Sequence, residues 1–261
     1  MNKVDLTIDH RGVARISLNN PDKHNAFDDA IILQLDAAFK SVSANSDVRA
    51  VVLGSNGKHF SAGADLEWMK RMADYSYEDN LADARALADM LLNLKQIPQP
   101  TIARVQGAAY GGAVGLVSCC DIAVASTRAS FALSEVKLGL VPATISPYVI
   151  DAIGARQAQR YFVTSEGFKA QRGFDIGLVH EVVENQDLDS TIDQLLDHIL
   201  ANGPSAMQIG KELIKTVSNR PLDQSIIDHT CEVIANIRVS PEGQEGLNAF
   251  LNKRSPHWQK D

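Results

Sequence analysis

Cysteine is scarce in this chain: Cys119, Cys120 and Cys231 are its whole supply, and they form no C-x-x-C pair. Cys119 and Cys120 lie in an apolar stretch and read as small buried thiols of a reducing compartment. The histidines show neither H-x-x-x-H nor H-x-x-H spacing, so no metal site is expected. Positive charge is also short. A net charge of −7 and a pI near 5.5 argue against nucleic-acid binding, which wants a basic face. A few local lysines still suffice to hold an anionic substrate. The apolar stretch between Arg104 and Asp121 has 16 uncharged residues and is interrupted by glycines. That falls below the ~18 residues of a membrane span. The opening residues MNKVDLTIDHRG carry no apolar core and no arginine-rich pattern, so the expectation is a cytoplasmic protein without a targeting segment. No fixed-period repeat, low-complexity tract or G-x-S-x-G elbow occurs.

What is present is an ordinary globular composition, 45% hydrophobic and 22% charged, in 261 residues. That suits one main domain with a helical extension: residues 1–200 as a core and 201–261 as a C-terminal helical region. Val4 to Asp9 and Val13 to Leu18 alternate like strands around Arg11-Gly12. Asp28 or Asp29 caps a helix whose face carries Ile31, Leu35, Ala38 and Phe39. Arg49 to Gly54 suits a strand buried on both faces. Leu66 to Ala73 and Tyr77 to Leu94 follow as helices, the second with Leu81, Ala84, Leu87, Ala88, Leu91 and Leu92 as its apolar face. Thr101 to Val105 and Asp121 to Ala125 are strands around a helix that runs through Val114 to Cys120. Beyond Pro142 the pattern is helical: Arg156 to Val163, Phe168 to Arg172, a last small strand from Leu178 to Val183, then Leu188 to Ala201, Pro204 to Val217, Leu222 to Ile237 and Pro241 to Asn252. Helix alternating with strand makes the first half α/β with crossover connections.

Two loops share a design. Ser61-Ala62-Gly63-Ala64-Asp65 and Gly107 to Gly115 each follow a short buried strand, are built of small residues and lead into a helix. Backbone N–H groups at Ala64 and Gly112 are placed to meet one oxygen from two sides, as an enolate oxyanion requires. The same small residues also permit close helix–strand packing, and spacing alone does not choose. Glu135, among Phe131, Leu133, Val136 and Leu138, is a poorly solvated carboxyl suited to proton transfer. Lys137 offers it a solvated charge pair instead. A dinucleotide fingerprint fits less well, because Gly107, Gly111, Gly112 and Gly115 do not follow G-x-G-x-x-G.

Together these residues resemble the crotonase (enoyl-CoA hydratase/isomerase) superfamily over nearly the whole chain. Asn20 to Ala26 is similar to its N-x-P-x-x-x-N-A segment and Phe60 to Asp65 to its F-[SA]-A-G-A-D loop. Gly107 to Asp121 resembles its glycine-opened helix ending in C-D, Phe131 to Pro142 its second glutamate segment, and Phe250 with Lys253-Arg254 its F-x-x-K-R tail. The resemblance implies an α/β spiral of ββα turns with a C-terminal helical trimerisation region, giving a homotrimer or homohexamer. It implies an acyl-CoA thioester as substrate, with its carbonyl on the N–H groups of Ala64 and Gly112 and Glu135 as catalytic carboxyl. Coenzyme A contacts would fall at Lys23, His24, Ala62 and Asp65, with Phe250 and Lys253 near a bound CoA, a neighbour's included. No further cofactor, metal, nucleic acid or membrane enters.

Two departures bear on the reaction. Gly115 stands where the usual hydratase has another glutamate, and Pro142-Ala143-Thr144-Ile145-Ser146-Pro147-Tyr148 replaces P-G-x-G-G-T. The second variant is similar to the methylglutaconyl-CoA and carboxygeranoyl-CoA hydratase-like branch. Enoyl-CoA hydratase is the expected activity, with Ser146, Tyr148 or the substrate's own carboxylate orienting water. A Δ3,Δ2-enoyl-CoA isomerase using one glutamate, and a non-catalytic CoA-binding scaffold, are the alternatives.

Overall fold

The computed structural model describes residues 2–218 and 220–259. The expected outer limits of both regions, Met1 and Asp261, lie outside the described residues. In chain order the elements are β1 (Val4–Ile8), β2 (Val13–Leu18), α1 (Asp29–Ala44), β3 (Ala50–Ser55), α2 (Leu66–Ala73), α3 (Tyr77–Lys95), β4 (Thr101–Val105), β5 (Ala108–Tyr110), α4 (Gly112–Cys119), β6 (Ile122–Ser126), β7 (Ser130–Ala132), α5 (Ser146–Thr164), β8 (Phe168–Lys169), α6 (Ala170–Asp175), β9 (Glu181–Val183), α7 (Leu188–Leu200), α8 (Pro204–Val217), α9 (Gln224–Val239) and α10 (Pro241–Leu251).

β1 pairs antiparallel with β2, and the sheet then continues in parallel through β3, β4, β6 and β9. A smaller sheet runs β5-β7-β8. Two successive turns lay one strand in the large sheet and a short one in the small sheet, β4-β5 before α4 and then β6-β7. The turn starting at β3 reaches the small sheet by a single bridge, Ser61 to Ala109. This is the expected spiral of ββα turns.

The large sheet is covered on both faces, which is why β3 is buried at every residue. On one face Ile16, Val51, Leu53 and Ala103 join Ile31, Leu35 and Phe39 of α1 and Leu91 of α3. On the other, Val13, Ala50, Val52, Ile102 and Val124 meet Leu188, Ile192 and Leu196 of α7. Alternate strand residues point to opposite cores, as the pleat dictates. Asp28 is the cap of α1, accepting from the Ile31 N–H at 2.9 Å. Ser76 and Asp79 form a capping box on α3.

Several expected elements shift. β5 and β7 were unforeseen as strands, being three residues each beside glycine or turn residues. The expected helix from Phe168 starts only at Ala170, because Phe168 pairs with Phe131 in the small sheet. α5 runs longer than expected and breaks at Gly154, whose φ of 74° no helical residue adopts. Leu92 faces outward at 44% exposure, and Met90 and Leu94 take its place inside. Cys119 and Cys120 are buried, whereas Cys231 is exposed. Among the described residues no helix is long and apolar enough to cross a membrane.

α8, α9 and α10 bury very little: no residue of α8, Ile226 of α9 and Ala249 of α10. Lys211 tethers α8 to the spiral through the carbonyls of Ile97 and Gln99, at 2.7 and 2.8 Å, and through Asp121.

Candidate active site

Backbone pairing fixes both loops before any side chain acts. In the first, the Ser61 N–H donates to Ala108 O at 2.9 Å and the Tyr110 N–H to Ser61 O at 3.0 Å. One step on, the Phe27 N–H donates to Gly63 O and the Asp65 N–H to Phe27 O, each at 2.7 Å. Strand-like alternation follows: Ser61, Gly63 and Asp65 point inward, Ala62 and Ala64 outward. Gly63, at φ 96°, makes the turn only glycine makes readily. In the second loop, a Cβ at Gly107 would stand 2.1 Å from Lys58 O, so the two loops cross where only glycine fits. Gly111 (φ 55°, ψ −124°) donates to Ala132 O at 2.9 Å and swings the chain into α4. Gly112 is therefore the first residue of a helix, where N–H groups have no intrahelical acceptor. Among the described residues, the N–H groups of Ala64 and Gly112 have no hydrogen-bond partner.

Ala64 and Gly112 both line one cavity of about 490 Å³, which Glu135 also lines. Phe27, Trp68, Leu87 and the segment from Gly139 to Ile145 supply most of its apolar wall. Glu135 begins a 3-10 turn, Glu135–Leu138, three residues beyond β7. Pairing of Tyr110 with Ala132 sets that turn beside Gly111, where a Cβ would come within 3.3 Å of Glu135 Oε1. Oε2 is buried with no hydrogen-bond partner among the described residues. Burial pushes this carboxyl above the usual glutamate range, its own backbone N–H pulling the other way. Lys137 is exposed, and no ion pair joins it to Glu135 among the described residues.

These observations come together in one comparison: residues 9–261 match the family described as enoyl-CoA hydratase/isomerase. The chain belongs to that family. A crystal structure of an enoyl-CoA hydratase from Shewanella pealeana superposes with a TM-score of 0.95 at 48% identity, over 98% of this chain and 96% of that one. A Legionella pneumophila structure assigned as enoyl CoA hydratase/isomerase (crotonase) gives 0.95 at 44% identity, over 98% and 99%. The short-chain-enoyl-CoA hydratase of Clostridium acetobutylicum is 29% identical over 93% of this chain and 92% of its own length.

Within this crotonase chain, four of the expected CoA-contact residues gather beside Ala64. The Ala62 N–H donates to His24 O at 3.0 Å, and Lys23 Nζ reaches Asp65 Oδ2 at 3.1 Å. Asp65 also caps α2, accepting from Glu67 N at 2.9 Å and Trp68 N at 3.1 Å. Burial raises its pKa, but Lys23 and those two N–H groups outweigh it and hold the carboxyl below the ordinary range. Its oxygens are thus committed within the chain. Asn25, fully buried at φ 54°, ties the approach to this cluster through the carbonyls of Asn56 (2.8 Å) and His59 (3.0 Å). Phe250 and Lys253 are not brought to the cavity within one chain, and Phe250 is 81% exposed.

Two expectations about the second polar group change, those for Ser146 and Tyr148. A Cβ at Gly115 would lie 2.4 Å from Ile145 Cγ2, so an isoleucine fills the space above it. Ser146 Oγ turns back to Ala143 O at 2.7 Å, and neither it nor Tyr148 lines the cavity. The carboxyl that does is Asp83, which sequence reasoning missed. Its signal was available: Asn80, Asp83, Ala84 and Leu87 repeat at helical spacing on α3 and all line the cavity.

Proposed function

We propose that this chain is a cytoplasmic enoyl-CoA hydratase, adding water to or removing it from the 2,3 double bond of a branched or carboxylated enoyl-CoA. The observation that carries this is a half-buried carboxyl with an unpartnered oxygen in the same cavity as two N–H groups without acceptors. The thioester carbonyl accepts from Ala64 and Gly112. As the water oxygen bonds to C3, charge moves onto that carbonyl oxygen, where one such donor is worth about 3 kcal/mol. Glu135 takes the proton that the water loses and returns a proton to C2. Water is consumed and the carboxylate is regenerated. The raised pKa of Glu135 suits a group that both accepts and gives up a proton.

The CoA end lies along Lys23, His24, Ala62 and Asp65. Phe250 and Lys253 reach a CoA from a neighbouring copy, in a homotrimer or homohexamer that also covers the apolar residues of α8–α10. The exposure of Ile214, Leu247 and Leu251 supports that assembly, and a monomer in light scattering at micromolar concentration would refute it. CoA enters as part of the substrate, with no separate cofactor.

One observation favours a second reading. With Ile145 over Gly115, Glu135 is left without the second glutamate of the usual hydratase. A single carboxyl suffices to carry a proton from C2 to C4 in a Δ3,Δ2 isomerisation. The hydratase names of the relatives support the first reading. Incubation with crotonyl-CoA, 3-methylglutaconyl-CoA and a 3-enoyl-CoA, following water addition and bond migration separately, decides between them. Migration without water addition overturns the hydratase. Glu135→Gln is expected to lower the rate by about a thousandfold while CoA binding persists; an active variant places the chemistry elsewhere. Because Glu135 must be ionised to accept the proton, kcat/KM should rise with pH through a value above the ordinary 4.5.

A further inference from the structure

The cavity wall formed by α3 differs from the rest. Its stripe of Asn80, Asp83, Ala84 and Leu87 brings two polar groups into a lining otherwise made largely of Phe, Trp, Met, Leu, Val and small residues. Asp83 Oδ1 accepts from the Trp68 indole N–H at 3.3 Å, and its second oxygen has no partner among the described residues. The amide nitrogen of Asn80 is spent on the carbonyls of Tyr75 (3.2 Å) and Ser76 (3.0 Å), which leaves its Oδ1 free. Among the described residues no Lys, Arg or His lines the cavity.

We propose that Asp83, steadied by Trp68, is a specificity-determining residue that receives a hydrogen-bonding end group, carboxyl or hydroxyl, on the acyl chain. An alkyl tail filling this space strips water from Asp83 and Asn80 and returns nothing, the situation in which a site built for a polar group rejects its apolar analogue. A hydroxyl donates to either acceptor. A carboxyl shares one proton with Asp83, an arrangement two neighbouring carboxyls adopt because both cannot ionise together. Burial favours it by pushing Asp83 above the usual carboxylate range; Trp68 opposes, Asp29 nearby adds to the rise and Arg71 opposes it. The inference rests on the acyl-CoA reading of the cavity and narrows it to chains with a polar end.

The test uses three thioesters of one skeleton: 3-methylpent-2-enoyl-CoA, its 5-hydroxy analogue and 3-methylglutaconyl-CoA. In the wild type, kcat/KM is expected to favour one or both polar-ended substrates over the alkyl one by about tenfold or more. The arm that wins tells hydroxyl from carboxyl. Asp83→Leu should erase or invert that ratio, mainly through KM, and Asp83→Asn should keep most of it, since the amide still hydrogen-bonds. An unchanged ratio in Asp83→Leu, or an equal loss on all three substrates, overturns the proposal. Affinities of the same thioesters for wild type and both variants, read by calorimetry, give the same ratio without turnover. Binding that discriminates without catalysis therefore keeps the recognition and discards the hydratase, while catalysis without discrimination does the reverse.

Discussion

The two loops that frame the cavity offer the same thing, one N–H each without an acceptor among the described residues, and are held by different means. The loop at Ala64 is pinned by polar side chains: Asp65 caps α2 and grips Lys23, and Asn25 ties down the neighbouring chain. The loop at Gly112 is held by the lack of side chains: Gly107 lies under Lys58 O, and Gly111 turns in a conformation reserved for glycine. One is vulnerable to charge and pH, the other to volume.

The largest effect expected from that contrast is Gly107→Ala. With a Cβ only 2.1 Å from a backbone carbonyl, one loop must move, at a cost of about 3 kcal/mol. Denaturant unfolding should show it independently of pH; a loss below half that value would mean the crossing yields easily. Asp65→Ala should cost about 1–2 kcal/mol, the worth of a helix cap with its partner, and this time pH matters. The folded state holds Asp65 below its ordinary 3.8, so its contribution is complete above that value and is lost as pH falls through the lower folded-state pKa. Wild type and Asp65→Ala should therefore converge in strong acid, whereas wild type and Gly107→Ala should not. Smallest is Lys23→Met: the lysine is 54% exposed, so its pair with Asp65 contributes at most about 1 kcal/mol and should fade in high salt. A salt-insensitive loss would show that Lys23 packs rather than pairs.

The same contrast explains what the amino-acid order did and did not disclose. The glycine loop announced itself, because small residues in a row leave few alternatives, and the buried strand β3 and the cap Asp28 follow from local rules. β5 and β7 were hidden, since three-residue strands exist only through partners elsewhere in the chain. Glu135 could be singled out by its apolar neighbours, whereas its unpartnered Oε2 depends on β7 pairing beside Gly111. Asp83 passed unnoticed because α3 was read for its apolar face, and a polar residue on a helix ordinarily means solvent. Ile145 over Gly115 is a contact across 30 positions of chain, beyond the reach of any local pattern.

That contact also constrains how the chain can change over generations. A glutamate at 115 collides with Ile145 while the isoleucine remains, and trimming Ile145 first opens a hole beside Gly115 that costs stability before it gains anything. Each substitution alone carries a cost, a collision in one case and a cavity in the other. The one-glutamate and two-glutamate forms of this site are therefore separated by a fitness valley, so drift at Gly115 alone does not lead from one to the other.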